Sequence, residues 1–381
     1  MKILVTGGNG QLAQSLALIA NISGAQVKAS PFDDQSAGAI NTDLKRALLA
    51  VLPEASSCLS PLDEVFILDR QLLDICNSTS IAAAFKQIKP DVLINCAAYN
   101  AVDKALLDVD TAYQVNAIGP ELLGLQCKKN GVKLIHISTD FVFAGNKGCA
   151  YDESDSPSPL SVYGKSKLAG EQSVQQVLGA QASIIRTAWL YSCSGHNFVN
   201  TMLGLFAVKD KLSVIGDQYG SPTWSEALAV VIFKLIIHKE VVSLNALSTS
   251  QADITDNEGD PDTGASNLYH YAAANTCSWF EFAKEIQRLM ALESDKLLPV
   301  PSSAKNALGV SHCQIKSISA KSWQALHEKP LAKRPSKSAL NIKKLCQHLG
   351  GLQGSLLNAK WQQQLKAMLD CQRRSQNLPD S

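Results

Sequence analysis

The sequence predicts an α/β fold built on a doubly wound parallel sheet, followed by a smaller C-terminal α/β lobe. Three observations lead to this prediction. In the first half of the chain, short apolar runs alternate with segments of helical periodicity. The apolar runs are rich in Val, Ile and Leu and show little polar alternation, as expected of strands buried on both faces of a parallel sheet. The first run ends in a glycine-rich turn, residues 6–10, that opens a helical segment.

The predicted elements follow one another in a regular order. A strand over residues 2–6 precedes a helix over residues 11–20, in which Leu and Ile recur at helical spacing. Further strands are predicted over residues 64–69, 91–97, 133–138 and 182–190, and further helices over residues 80–88, 111–129 and 165–178. An amphipathic helix begins near Ser278, and the C-terminal tail also has a helical pattern.

Two polar stretches interrupt this order. Residues 31–63 contain only a weak helical pattern over residues 43–51, and residues 242–267 are acidic and punctuated by Gly and Pro. Both are interpreted as surface insertions or loops. The predicted organisation is a dinucleotide-binding Rossmann domain over residues 1–190, joined by 221–240 and 268–274, a substrate lobe over residues 191–220 and 275–345, and a helical tail over residues 346–381.

Composition narrows the function classes. The net charge of +1 offers no electrostatic basis for binding nucleic acid. The ten cysteines include no Cys-x-x-Cys pair and no zinc spacing, and the acidic run lacks the pattern of a calcium loop, so no metal site is predicted. The longest apolar run, residues 227–237, is interrupted by Lys234 and is too short to span a bilayer, so no membrane partner is expected. The first residues resemble a strand rather than a signal peptide, and we expect a cytoplasmic protein.

The glycine turn is the first candidate cofactor site. Gly7 and Gly10 allow a tight turn and a close approach of the backbone to a pyrophosphate, which the helix N-terminus attracts. A residue at the end of the second strand of such a domain reads the adenosine ribose. Simple spacing favours Asp33 or Asp34, whereas the regular order of strands favours Asp69-Arg70, because only residues 64–69 form a clear strand. Arg70 could pair with a 2′-phosphate and therefore favours NADPH, with NADH as an alternative.

Tyr163, Lys167 and Thr139 form the candidate catalytic set. A tyrosine hydroxyl with its ordinary pKa of about 10 is a poor acid or base at neutral pH. Lys167 lies one helical turn further on the same face, and its charge is expected to lower the pKa of Tyr163 and to hold a nicotinamide ribose. Thr139 ends an apolar run, at the strand edge where open α/β sheets bind ligands, and could donate to a carbonyl.

These motifs resemble the extended short-chain dehydrogenases/reductases, and among them the dTDP-4-dehydrorhamnose reductase family. The matching stretches include Val5-Thr-Gly-Gly-Asn-Gly-Gln-Leu and Ser161-Val-Tyr-Gly-Lys-Ser-Lys-Leu-Ala-Gly-Glu. The others are residues 68–75, 89–105, 116–117, 137–143, 186–191, 197–198, 217–223 and 332–338. The resemblance covers nearly the whole chain outside the two insertions and the tail.

The resemblance implies reduction of the C4 keto group of dTDP-4-dehydro-6-deoxy-L-mannose to dTDP-L-rhamnose, with Tyr163 as the proton donor. Besides the groups named above, it implies cofactor contacts by Gln11, Leu12, Asp74, Ile75, Ala97, Ala98 and Tyr99. The substrate contacts that it implies are Thr139, Asp140, Trp189, Asn197 and Arg334.

Some family features are not expected in this chain. Members with a magnesium-bridged dimer carry an acidic residue where this sequence has Ser15, so we do not predict that metal site or that dimer; a homodimer of another kind is left open. Two other functions also remain open. One is an epimerase or reductase acting on a different nucleotide sugar. The other is a non-catalytic subunit resembling the regulatory subunit of methionine adenosyltransferase.

Overall fold

A computed structural model describes residues 1–30, 41–249, 267–294, 313–326, 330–352 and 354–376. The strands are β1 (Lys2–Thr6), β2 (Gln26–Lys28), β3 (Glu64–Ile67), β4 (Val92–Asn95), β5 (Lys133–Thr139), β6 (Ala182–Thr187), β7 (Leu190–Tyr191), β8 (Lys211–Ile215), β9 (Tyr219–Gly220), β10 (Thr223–Trp224), β11 (Leu268–His270), β12 (Cys277–Ser278) and β13 (Gln314–Ile318). The helices are α1 (Gln11–Ser23), α2 (Thr42–Val51), α3 (Ser78–Ile88), α4 (Val109–Tyr113), α5 (Gly119–Asn130), α6 (Val162–Leu178), α7 (Phe198–Val208), α8 (Ser225–Thr249), α9 (Trp279–Ser294), α10 (Ala320–Ala325), α11 (Lys343–His348) and α12 (Trp361–Gln376).

Seven parallel strands form the central sheet in the order β11-β6-β5-β4-β1-β3-β2. This confirms the predicted fold class. Strands β3 and β2 lie on one side of β1, and strands β4, β5, β6 and β11 lie on the other side. The strand order therefore reverses at β1 and β4, and ligands of open α/β sheets bind at the carboxyl ends of the strands at such a point.

Helices cover both faces of the sheet. On one face, α1 and α8 pack over Val5 and Ile94, and on the other, α3, α5 and α6 pack over Leu4 and Leu93. Adjacent strand residues point to opposite faces, so a strand buried on both sides must be apolar throughout. Burial of these strands on both faces therefore explains the uninterrupted apolar runs of the sequence.

The first insertion is largely structured. Its weak helical pattern is confirmed as α2, and β2 adds an edge strand just before the insertion. Leu48 and Leu52 are fully buried, α2 packs against α12 of the tail, and Ser355 donates a hydrogen bond to Glu54 at 2.5 Å. Interpreting this stretch as a surface loop is therefore wrong for residues 42–57, because its apolar residues extend the core formed with the tail. Residues 31–40 lie outside the described residues.

Three predicted boundaries differ from the structure. The long helix predicted over residues 111–129 is divided into α4 and α5 by a π-helical turn, Gln114–Ile118. The strand predicted over residues 182–190 ends at Thr187. The second insertion begins as helix, since α8 continues to Thr249, and residues 250–266 lie outside the described residues.

The smaller lobe is built around the parallel pair β8–β13 and the helices α7, α9 and α10. Aromatic contacts join its helices: Phe198 stacks on Phe282, and Trp279 lies against Phe198 with ring centroids 4.6 Å apart. In the part of the chain that the structure describes, no helix is long and apolar enough to cross a membrane.

Candidate active site

The glycine turn lies directly against two neighbouring strand ends. Gly7 has a φ of +70°, and a Cβ atom there would lie 2.8 Å from the backbone nitrogen of Ala97. Gly8 donates its N–H to the carbonyl oxygen of Leu68 at 2.9 Å. Gly10 begins α1 without any side-chain cap, so the N-terminus of this helix presents backbone N–H groups of Gln11 and Leu12 beside the turn. This arrangement suits a phosphate group.

The residues after β3 lie beside this turn. Asp69 accepts backbone hydrogen bonds from Gln71 and Leu72 at 2.9 and 3.2 Å. Arg70 has a side chain that is 77% exposed and lies 3.5 Å from Asp74 in an ion pair. The alternative ribose contacts considered above, Asp33 and Asp34, lie outside the described residues.

Other predicted cofactor residues have structural contacts. Asp74 accepts a hydrogen bond from the backbone N–H of Cys76 at 2.9 Å. Ile75 is buried and packs against Gly119 at the start of α5. Ala97 donates its N–H to Asn95 at 3.2 Å, and Ala98 and Tyr99 follow it along the same edge of the sheet.

A polar network that sequence reasoning missed crosses three central strands. Thr6 donates to Asn95 at 2.6 Å, and the amide nitrogen of Asn95 lies 3.0 Å from Nδ1 of His136. Burial and the nearby charge of Lys167 hold the pKa of His136 well below its usual value, so the ring is neutral. The sequence does contain a signal for this network, because Asn95 and His136 are polar residues within otherwise apolar strands.

Asn116 connects the segment after β4 to helix α6. Its side chain accepts from the N–H of Tyr99 at 2.8 Å and donates to the Tyr99 carbonyl at 3.1 Å and to Ser166 at 3.0 Å. The close approach depends on Gly170, since a Cβ atom there would lie 2.0 Å from the Asn116 carbonyl oxygen. The helix that carries Tyr163 and Lys167 is thus held at a fixed distance from Tyr99.

The structure brings together the predicted catalytic set. Helix α6 begins after Ser161, whose hydroxyl accepts from the Gly164 N–H at 3.1 Å. Tyr163 is buried, contacts Phe141 edge to face at 5.6 Å, and hydrogen-bonds Thr139 at the end of β5. Lys167 donates to the carbonyl oxygen of Ile137 at 2.7 Å.

The protonation state of this set differs from the expectation. Burial raises the pKa of Tyr163 to about 12, the hydrogen bond from Thr139 opposes this rise, and the charge of Asp140 adds to it. Burial lowers the pKa of Lys167 to about 8, against the opposing effect of Glu171. The prediction that Lys167 lowers the pKa of Tyr163 is wrong for this structure, because desolvation of the phenolate outweighs the favourable interactions. Tyr163 therefore carries its proton at neutral pH.

A buried ion pair between Arg186 and Glu171 lies near Lys167, and the Glu171 charge stabilises the Lys167 ammonium. Arg186 on β6 donates to Glu171 on α6 through Nε at 2.9 Å and Nη2 at 2.6 Å, and Ser138 also donates to Glu171. Both charged side chains are almost completely buried. Sequence reasoning did not assign them a role, although a charged residue in an apolar strand was a signal that it needs a partner.

Asp140 is committed to contacts within the protein. Its residue is 2% exposed, and its carboxylate accepts from Thr139 at 3.1 Å and from Ser338 at 2.5 Å. Burial raises the pKa of Asp140 to about 6, while these two hydrogen bonds act in the opposite direction. The predicted contact of Asp140 with a sugar thus has to compete with two existing partners.

A cavity of about 740 Å³ lies in the smaller lobe, and its lining residue Leu160 immediately precedes Ser161, the residue that caps α6. Aromatic, apolar and basic side chains line it, among them Leu160, Phe198, Met202, Trp279, Trp323 and Arg334. Arg334 also makes a two-pronged ion pair with Asp103, at 2.7 and 2.9 Å.

Two other predicted substrate residues border this region. Trp189 stacks on the cavity residue Trp279 with ring centroids 3.4 Å apart, and has the unusual φ of +48°. Asn197 caps α7 by accepting from the Asn200 N–H at 3.0 Å and donates to the Ser192 carbonyl at 3.1 Å. Asn197 is therefore engaged in shaping the loop that leads into α7.

Comparison with known proteins identifies the family. The family model described as the RmlD substrate binding domain matches residues 1–374. This chain belongs to the RmlD substrate-binding family. The dTDP-4-dehydrorhamnose reductase of Escherichia coli (strain K12) is 32% identical over 326 residues, which cover 83% of this chain and 93% of the relative.

Solved structures of this family have the same architecture. A dTDP-4-dehydrorhamnose reductase from Clostridium acetobutylicum is 30% identical, covers 97% of this chain with 99% of its own, and superposes with a TM-score of 0.67. The enzyme of the same name from Bacillus anthracis, solved in complex with NADP, is 29% identical, covers 97% of this chain with 98% of its own, and has a TM-score of 0.66. Among the described residues of this RmlD-family chain, no group of three or more His, Cys, Asp or Glu side chains could hold a metal ion.

Proposed function

We propose that this protein reduces the C4 keto group of dTDP-4-dehydro-6-deoxy-L-mannose, using NADPH, to give dTDP-L-rhamnose. The observation that carries this proposal is the meeting of a protonated Tyr163 with Thr139 at the end of β5, beside an uncapped glycine turn. Membership of the RmlD family and relatives named dTDP-4-dehydrorhamnose reductase support the substrate class.

The residues present fit a dinucleotide. The pyrophosphate would bind at the uncapped N-terminus of α1. Gly7 and Gly10 have no Cβ atoms, so the backbone of the turn can approach the phosphates closely. Asp69 would receive the adenosine ribose, and the exposed Arg70 would pair with a 2′-phosphate, which favours NADPH while NADH stays a second candidate. When bound, the nicotinamide supplies the hydride.

The catalytic residues would divide the work. Tyr163 delivers its proton to the C4 oxygen as negative charge develops there, and with a pKa of about 12 the phenol carries that proton at neutral pH. Thr139 orients the phenol and the substrate carbonyl. Lys167, held by the Ile137 carbonyl, positions the nicotinamide ribose and supplies positive charge near the reaction.

The cavity of the smaller lobe would receive the nucleoside diphosphate. Its aromatic walls suit a base and its basic residues suit a diphosphate. Arg334 is the group that we assign to the diphosphate, and Trp189 packs beside the sugar through its contact with Trp279. Asn197 is assigned to the same region, where it would act mainly by fixing the loop before α7.

We also propose a cytoplasmic location, because all ten cysteines are free thiols, as in proteins of a reducing compartment. A homodimer remains a prediction, which light scattering coupled to size-exclusion chromatography would test.

The decisive assay supplies the purified protein with the 4-keto-6-deoxy dTDP-sugar and either NADPH or NADH, and identifies the product. A reductase oxidises one nicotinamide for each sugar converted, and we expect dTDP-L-rhamnose in that ratio. Conversion of the sugar without net oxidation of the cofactor would instead identify an epimerase. The absence of any conversion, with retained cofactor binding, would support a non-catalytic subunit.

A further inference from the structure

Residues 331–341, here called the strap, connect the cavity of the smaller lobe with the segment 140–145 that follows β5. The strap begins in the cavity wall, where Arg334 pairs with Asp103. Ser336 then donates its hydroxyl to the Gly145 carbonyl at 2.8 Å, and its own carbonyl accepts from the Tyr219 N–H at 2.8 Å. The strap is thus bonded to both lobes.

Ser338, further along the strap, begins a chain of hydrogen bonds that ends at the proposed proton donor. Its hydroxyl donates to one oxygen of Asp140, and the hydroxyl of Thr139 donates to the other. Thr139 in turn hydrogen-bonds Tyr163 and accepts from the N–H of Phe141 at 3.2 Å. Ser338, Asp140 and Thr139 are all buried, so solvent does not compete for these contacts.

We propose that Ser338 and Asp140 are positioning residues, which hold the Thr139 side chain in place beside Tyr163 and couple the position of the strap to catalysis. This inference rests on the proposed function and adds a second role for the wall of the substrate cavity. A nucleotide sugar that contacts the strap at Arg334 would stabilise the arrangement in which Ser338 reaches Asp140.

The geometry requires an ionised Asp140. The Asp140 carboxylate accepts from both the Thr139 and the Ser338 hydroxyl groups, so it acts here only as an acceptor. A protonated carboxyl would itself need an acceptor, and Thr139 or Ser338 would have to turn. The groups facing Asp140 are the Thr139 hydroxyl, the Phe141 N–H, Ser338 from the strap and Tyr163 from α6.

Burial and the Ser338 hydrogen bond act on the pKa of Asp140 in opposite directions. The Ser338 hydrogen bond stabilises the carboxylate and so lowers the pKa of Asp140, against the larger effect of burial. Activity should therefore fall on the acid side, as Asp140 gains a proton near pH 6. Loss of the Ser338 hydroxyl should move this acid limb to higher pH.

The test measures kcat/KM for the keto sugar between about pH 5 and pH 9, together with NADPH affinity, for the wild type, Ser338→Ala, Ser338→Thr and Asp140→Asn. We expect Ser338→Ala to move the acid limb upward by about one pH unit, because a hydrogen bond to a charged group is worth roughly that shift. Ser338→Thr keeps the hydroxyl and should restore the wild-type profile. Asp140→Asn should show no acid limb, since Asn cannot titrate. Its kcat/KM should also fall by about tenfold.

A uniform loss of kcat/KM in Ser338→Ala at every pH, with the limb unmoved, would overturn the inference, and so would an unchanged limb in Asp140→Asn. Intact NADPH affinity serves as the check that each variant is folded. If Ser338→Ala does not fold, Asp140→Asn decides the question. A wild type that binds NADPH but never converts the sugar would refute the proposed function itself, which is a distinguishable result.

Discussion

The ammonium group of Lys167 donates a hydrogen bond of 2.7 Å to the carbonyl oxygen of Ile137. This contact fixes helix α6 against the end of β5, so that Tyr163, one turn earlier on the helix, meets Thr139 on the strand. The lysine is buried beside Tyr163, and Glu171 on its far side stabilises its charge. The contact explains how two residues on a helix and one on a strand are held as a unit.

Replacing Lys167 by Met should weaken NADPH binding and lower kcat, because a positive charge near the cofactor is lost. A loss of about 10²-fold or more in kcat/KM is expected, as for other positioned catalytic groups. Lys165→Met is the matched control, since Lys165 lies on the same helix with an exposed side chain. Steady-state kinetics and fluorescence titration measure both effects, and equal losses in the two variants would refute the assignment.

The wild type should bind NADPH less tightly as the pH rises. Because the pKa of Lys167 is lowered to about 8, the ammonium is charged below that pH and loses its charge above it. Between about pH 7.5 and pH 9, the dissociation constant should rise several-fold, whereas Lys167→Met should lack this dependence. If the NADPH dissociation constant depends on pH in the same way in the wild type and in Lys167→Met, titration of Lys167 is not the cause.

Replacing Arg334 by Ala should raise the KM for the nucleotide sugar by about tenfold and leave NADPH affinity unchanged, because the lost guanidinium is assigned to the diphosphate. Lys337→Ala is the control, as it removes an exposed positive charge from the same strap. Asp103→Asn removes the partner of Arg334 without removing the guanidinium. If Asp103→Asn raised KM as much as Arg334→Ala, the arginine would serve to anchor the strap rather than to bind the substrate.

Glu226, in the first turn of α8, should make stability depend on pH. Its carboxylate is fully buried and accepts from the Cys193 N–H at 3.2 Å, and burial raises its pKa from 4.5 to about 7. The folded state therefore binds more protons than the unfolded state between about pH 4.5 and pH 7, so the contribution of this group to stability is lost as pH rises through that window.

Glu226→Gln should accordingly be more stable than the wild type at about pH 8, by roughly 1–3 kcal/mol, with a smaller advantage at about pH 5. Urea unfolding at both pH values measures the difference in the free energy of unfolding. Glu121→Gln, in the first turn of α5, is the control substitution. An advantage for Glu226→Gln that is the same at both pH values would rule out titration of this carboxyl as the cause.

The insertion and the tail should stabilise each other. Leu48 on α2 is completely buried where α2 packs on α12, so Leu48→Ala should lower the free energy of unfolding by about 2–5 kcal/mol. Leu62→Ala, in the same insertion but 84% exposed, should change it by less than about 0.5 kcal/mol. Thermal and urea unfolding provide the measurement, and similar values for the two variants would show that α2 contributes little to the core.

The parallel sheet was predictable because its signal is local. The apolar runs around Val5, Ile94 and Ile135 reflect burial on both faces, and the glycine turn marks the first strand–helix junction. The meeting of Thr139 with the Tyr163 helix could be expected from the same logic, since strand ends gather at one edge of the sheet.

Other features depend on packing between distant segments, which no local pattern encodes. The contact of α2 with α12 joins the insertion to the tail, and the Ser338–Asp140 bond spans 198 positions. The pKa of Tyr163 was predicted in the wrong direction because spacing alone indicates that Lys167 is near, whereas burial can be judged only from the folded chain. Arg186 and Glu171 likewise become interpretable only as a pair.

The most direct test of the account is the turnover of Tyr163→Phe with the 4-keto-6-deoxy dTDP-sugar and NADPH. The substitution removes one hydroxyl and keeps the ring that contacts Phe141. We expect kcat to fall by about 10²- to 10⁴-fold with nearly unchanged NADPH affinity, because only the proton donor is lost. A wild-type kcat in Tyr163→Phe would contradict the assignment of Tyr163 as the proton donor.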